Sequence, residues 1–122
     1  MALAATLGGC KAPADLAGLP VYDEGFQRTY FEAQNHLAKG DLDLAYTSFL
    51  ACWDMQPEEL ALRFDLAKID LQREQYESAV NHLNPVLDAD ADHRWAHEYR
   101  AEALLALGDT EAALKDLSLI HI

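Results

Sequence analysis

Positive charge is scarce in this sequence. Nine lysines and arginines stand against twenty-one aspartates and glutamates, a formal net charge of -12. Nucleic acids are gripped through clustered basic side chains, so composition argues against a nucleic-acid partner. Acidity favours solubility and steers toward basic or neutral partners without naming one. Cysteine is scarcer still: Cys10 and Cys52 are too few to build a disulfide scaffold. No uninterrupted apolar run reaches the roughly 20 residues that a helix needs to span a bilayer. Glycine-rich phosphate loops, nucleophile elbows and paired-carboxylate motifs are all missing, so the sequence offers no catalytic residue and implies no cofactor. What remains is a chain of 122 residues, one domain in length, with 51% apolar residues for a core and 25% charged residues for a surface.

A period organises that core. Laying 26–59, 60–93 and 94–122 over one another, each start 34 residues after the last, aligns Ala33 with Ala67 and Ala101. Ala45, Ala79 and Ala113 fall in a second column, and Phe49, Leu83 and Leu117 in a third. Gly40, Glu74 and Gly108 share the column where a first helix must stop, and Leu42, Tyr76 and Thr110 follow two places on. Small residues at fixed columns let helices approach closely, while the larger apolar ones fill the space beside them.

The punctuation agrees with two helices per repeat. Gly40-Asp41 and Gly108-Asp109 pair a helix-ending glycine with an aspartate suited to cap the next helix. Pro57-Glu58-Glu59 reads as a helix start, with proline in the first turn and acids near the positive end of the dipole. The pattern predicts helices near 27–39, 43–55, 60–72, 76–88, 94–106 and 110–120. Pro85 lies inside the fourth and is expected to kink it or fray its end.

On these columns the chain resembles the tetratricopeptide repeat (TPR) family over residues 26–122. Ala33, Gly40, Ala45, Phe49 and Pro57 match the family pattern in the first repeat, and Ala67, Tyr76, Ala79 and Leu83 in the second. Ala101, Gly108, Ala113 and Leu117 match in the third, while Glu32 and Arg100 depart from a usual leucine and Ala91 from a usual proline. The resemblance implies an all-α fold, a superhelix of three helical hairpins whose first helices line a concave, peptide-binding face. It places Tyr30, Gln34, Phe64, Lys68, Trp95 and Glu98 in that partner-binding groove. Tyr30, Phe64 and Trp95 would be its anchors, although aromatics at helical spacing equally suit packing between helices. The family's chaperone-tail binders clamp a terminal carboxylate with Lys, Arg and Asn. Here Tyr30, Gln34, Asp65, Trp95 and Tyr99 occupy the clamp places, which disfavours that ligand class.

The ends carry separate signals. Leu7-Gly8-Gly9-Cys10, preceded by an Ala- and Leu-rich stretch, resembles the lipobox of bacterial lipoproteins. That resemblance implies residues 1–10 as a truncated export signal with lipidation at Cys10, and 11–25 as a flexible tether to the repeats. Lys11 follows the cysteine where an Asp commonly marks inner-membrane retention, which implies the periplasmic side of the outer membrane. The alternative is an ordinary cysteine in an unstructured tail. At the other end, residues 117–122 resemble a translated sequencing-adapter end, and native residues are expected to stop near Asp116.

Two constellations invite chemistry and lack its requirements. His93 and His97 stand four apart, but a zinc-hydrolase helix needs a glutamate between them and Arg94-Trp95-Ala96 supplies none. The acids of 88–92 alternate like a calcium loop, yet His93 replaces its glycine and Tyr99 its closing glutamate. No metal ligand is assigned. Cys52 shares a packed column with Val86 and Ile120 and is expected to be a buried, inert thiol. The expectation is therefore a non-enzymatic protein–protein interaction scaffold, lipid-anchored in the bacterial envelope, touching membrane only through Cys10. A cytoplasmic TPR adaptor and a docking segment of a larger enzyme are the alternatives.

Overall fold

Alanine columns set how closely the helices can approach, and the structure is built on them. Ala33, Ala45, Ala67, Ala79, Ala101 and Ala113 are all essentially inaccessible to solvent. The computed structural model describes residues 24–120. These form α1 (Glu24–Ala38), α2 (Leu42–Met55), α3 (Leu60–Gln72), α4 (Tyr76–Ala89), α5 (Arg94–Ala106) and α6 (Thr110–Ser118), with no strand among the described residues. Cys10, Lys11 and the whole segment read as an export signal lie outside the described residues. Helix α1 begins at Glu24, so its first turn extends into the segment read as tether, with Glu24 at the positive end of the dipole.

Each helix packs against its sequence neighbours, α1 with α2, α3 with α4 and α5 with α6, and each second helix also packs against the next hairpin. The core therefore runs along the stack. Phe26, Phe49, Cys52, Leu62, Leu66 and Ile69 close the first hairpin onto α3. Leu83, Val86 and Leu87 then close the second onto Ala96 of α5. Full burial of such side chains stabilises by about 1.5–3 kcal/mol each. Cys52 is fully buried, and burial, with Glu32 adding a smaller effect, pushes its thiol up to about 11.

The helix stops are the same motif three times. Gly40, Glu74 and Gly108 take φ of +82°, +60° and +88°. In each case the next residue's N–H reaches back to the carbonyl five residues earlier: Asp41 to His36, Gln75 to Asp70 and Asp109 to Leu104. This left-handed cap satisfies carbonyls that the helix end would orphan. Asp109 caps α6 by accepting from the Ala112 N–H at 3.2 Å, whereas Asp41 stands at the N-cap of α2 without a side-chain bond.

Two local readings change. Pro57 lies in the turn before α3 rather than in its first turn, because the helix starts at Leu60. The Pro57 carbonyl accepts from the Trp53 indole N–H at 3.0 Å. Pro85 does not fray α4, which continues to Ala89. A residue at 85 with an N–H would bond the Asn81 carbonyl, and proline cannot. Arg63 from α3 supplies the missing donor, its Nη2 lying 2.9 Å from that oxygen.

Candidate partner-binding face

The first helices of successive hairpins share one face. Helices α3 and α5 approach directly, whereas among the described residues no Cα of α1 comes within 8 Å of one in α3. A cleft of about 470 Å³ fills that gap. Phe26, Tyr30, Phe31 and Gln34 form its α1 wall, and Ala61, Leu62 and Asp65 its α3 wall, with Glu59 beside them. Phe26 and Tyr30 stack nearly parallel, ring centroids 6.0 Å apart, and Tyr30 meets Phe49 edge-on at 5.7 Å. Tyr30 is thus pinned from below while its outer side stays partly open.

Beyond Ala61 the surface continues as an aromatic ledge. Ala61 also lines a shallower hollow of about 270 Å³ with Leu60, Phe64, Val86 and His93. Phe64 lies 4.8 Å from the His93 ring and 5.6 Å from Tyr99, and Trp95 stacks on Tyr99 at 6.1 Å. Phe64 and Tyr99 are half-buried, and Trp95 is 55% exposed. Lys68 sits over the Phe64 ring at 5.0 Å and pairs with Asp65 at 3.4 Å. Gln34, Glu98 and Glu102 are exposed.

The structure brings Phe64, Lys68 and Trp95 into one neighbourhood and leaves Tyr30 and Gln34 in the adjoining cleft. Tyr99 and Asp65 are the contributions that the chosen columns left out of the groove set. They share one column with Phe31, and all three lie at this face, so a second column would have found them. Burial raises the Asp65 carboxyl above its usual range, against the smaller lowering effect of Lys68.

The histidines have structural work. His93 is the N-cap of α5, its Nδ1 accepting from the Ala96 N–H at 3.1 Å. His97 is buried, with Nδ1 3.0 Å from Asp116 and Nε2 2.7 Å from the Ala91 carbonyl. Arg100 adds a bidentate pair to Asp116 at 2.6 and 2.8 Å. Burial alone would raise the Asp116 carboxyl, but the hydrogen bonds from Arg100 and His97 hold it below its usual range.

A second polar group joins α2, α3 and α4. The Tyr46 hydroxyl lies 3.2 Å from Asp70, 3.3 Å from Ser78 and 3.0 Å from His82 Nε2. The composition invites comparison with a nucleophile and its base. The geometry differs: Ser78 donates to Asp70, and His82 Nε2 meets Tyr46 rather than the serine. A serine whose proton goes to a carboxylate, with no hydrogen bond to the imidazole, is not activated for attack. The group is a partly buried polar junction.

The structure is similar to that of the first TPR of Spaghetti (RPAP3) bound to the HSP90 peptide SRMEEVD. The TM-score is 0.72, at 20% identity, covering 84% of this chain and 81% of that one. It is also similar to a chain of the CopN-Scc3 complex, with TM-score 0.73 and 19% identity over 95% of this chain and 72% of that one. At these identities the likeness concerns the fold. No curated protein matches the chain significantly. The tetratricopeptide repeat model matches residues 36–97. With three stacked hairpins, three matching left-handed caps and that match, the chain belongs to the tetratricopeptide repeat family.

Proposed function

We propose that the chain is a non-catalytic scaffold that holds a segment of another protein against the face of α1, α3 and α5. The observation that carries this reading is the set of incompletely buried rings on this face: Tyr30 in the cleft, Phe64 in the adjoining hollow, and Tyr99 against Phe64 with Trp95 stacked on it. Stiff aromatic surface left accessible in a concavity is the material of binding anchors. The acidic peptide SRMEEVD held by the RPAP3 domain is a poor model for the ligand here. Asp65, and Glu102 beside Lys68 and Tyr99, would repel its carboxylates, and Lys68 is already paired with Asp65. In a complex with an identified partner, replacing Tyr30, Phe64 and Trp95 together by alanine should weaken binding by about 2 kcal/mol or more with helicity unchanged. Equal affinity for the triple variant would refute the assignment of this face.

The reading extends to location. Leu7-Gly8-Gly9-Cys10 supports lipid attachment at Cys10 in a bacterial envelope, with Lys11 favouring the outer membrane. Fatty-acid labelling of the parent protein should mark wild type and not Cys10→Ser, and wild type should fractionate with membranes. Soluble, unlabelled wild type with an intact N-terminus would place the scaffold in the cytoplasm instead.

A further inference from the structure

The cleft between α1 and α3 has a chemistry that the aromatic ledge lacks. Its walls are largely apolar, with the stacked Phe26 and Tyr30 rings on one side and Leu62 on the other. Asp65 projects into this setting with its side chain only 21% exposed. Among the described residues its salt-bridge partner is Lys68, an i,i+3 neighbour at 3.4 Å that also lies over Phe64, toward the adjoining ledge.

Three kinds of occupant can be weighed. An acidic side chain would face Asp65 in apolar surroundings, where repulsion is poorly screened. A purely apolar side chain would fill the space but strip water from the Asp65 carboxylate without replacing it, which costs free energy. A long cationic side chain does both jobs: its stem covers the apolar wall and its head meets the carboxylate. Arginine suits better than lysine, because the planar guanidinium stacks on aromatic rings and pairs with carboxylates through two parallel bonds. The net charge of -12 adds attraction for a basic segment as it approaches.

We infer that the α1–α3 cleft is a binding pocket for an arginine side chain of the partner, with Asp65 receiving the guanidinium and Tyr30 carrying its stem. This rests on the reading of the α1, α3 and α5 face as the partner-binding surface. Ala61 lies in both hollows, so a segment seated with arginine in the cleft reaches Phe64 with its next apolar residue.

The test uses the full chain, uniformly 15N-labelled, and three acetylated pentapeptides, Gly-Leu-Xaa-Leu-Trp, with arginine, citrulline or glutamate at Xaa. Citrulline keeps the shape of arginine and removes its charge. The arginine peptide should shift the amide signals of Ala61, Leu62 and Asp65 and bind at least tenfold tighter than the citrulline peptide. Asp65→Asn should erase that tenfold preference, and Asp65→Lys should transfer it to the glutamate peptide. If all three peptides bind equally, with shifts confined to Phe64, Tyr99 and Trp95, the arginine pocket is wrong and the partner-binding face stands. If arginine is preferred equally by Asp65→Asn, the pocket is likewise wrong. If no peptide shifts any signal on this face, both readings fall.

Discussion

Arg63 and Pro85 form a pair whose coupling can be worked out before it is measured. Proline inside a helix costs about 3 kcal/mol relative to alanine, through a lost N–H and a clash with the preceding turn. Here the freed Asn81 carbonyl is served by Arg63 at 2.9 Å, and the same guanidinium lies 4.7 Å over the Trp53 ring. A hydrogen bond from a charged donor contributes about 1.5–3 kcal/mol, toward the low end at a partly exposed site. The cation–π contact adds about 0.5–1 kcal/mol. Arg63→Met keeps a similar stem and should therefore cost about 2 kcal/mol. Pro85→Ala restores the helical N–H, offset by about 0.4–1 kcal/mol of regained freedom in the unfolded chain, and should stabilise by about 2 kcal/mol. In that background Asn81 has its own donor, so Arg63→Met should lose mainly the ring contact. The coupling energy should be about 1 kcal/mol. Urea unfolding of the four proteins by far-UV circular dichroism measures it directly. A coupling within about 0.3 kcal/mol of zero, or a destabilised Pro85→Ala protein, would refute the substitution of Arg63 for the missing donor.

Other consequences follow from single positions. Glu74 holds φ at +60°, costing about 1–2 kcal/mol for a residue with a Cβ, so Glu74→Gly should raise stability by roughly 0.5–1 kcal/mol after the glycine's extra unfolded entropy. An unchanged or lower urea midpoint would mean that the cap is not strained. Ala79 is wholly buried where α4 meets α3, and Ala79→Phe should overpack it by about 1–3 kcal/mol, read as a lower melting midpoint. Burial chiefly, and Arg63 next, lower the His82 pKa, with Asp70 opposing them. The unfolded chain then binds the proton more readily, so this contribution to stability is intact above about pH 6.5 and is lost as pH falls below it. Wild type should lose more stability than His82→Gln between pH 7.5 and 5.5, and parallel profiles would remove His82 as the cause.

The two hairpin junctions solve the same packing problem with opposite chemistry. Tyr46, Asp70 and Ser78 meet at the first, and one repeat later the same columns hold Val80, Leu104 and Ala112. Arg73 completes the first junction, its Nη1 3.2 Å from Asp70, its Nε 2.9 Å from Asp43 and its guanidinium 4.5 Å over the Tyr46 ring. Asp70 is almost wholly buried and draws on Ser78 and Arg73 of its own hairpin, so what the preceding hairpin brings is the Tyr46 hydroxyl, which the third hairpin stacked in its place would meet with Leu104 and Ala112. Burying a hydroxyl without a partner is expensive, and the polar junction therefore favours the observed order of the hairpins.

Sequence by itself determined the helices, their pairing and the columns that touch. Those properties follow from local rules and a period: alanine at Ala33, Ala67 and Ala101 admits a close neighbour wherever it recurs, and a residue two places before Leu42, Tyr76 or Thr110 must turn left. Even Glu74, which has no glycine's freedom, was legible because its column was Gly40 and Gly108. Only the tertiary structure decided which side chains from different helices complete one another. Arg63 reaching Asn81, Tyr46 gathering Asp70, Ser78 and His82, and Tyr99 linking Phe64 to Trp95 all join residues from different helices. The same holds for the cleft at Tyr30 and Asp65, which exists because α1 stands off from α3 while α5 does not. A period fixes which columns face each other, but the spacing between two helices is set by the volumes of the particular side chains wedged between them, and those differ from repeat to repeat.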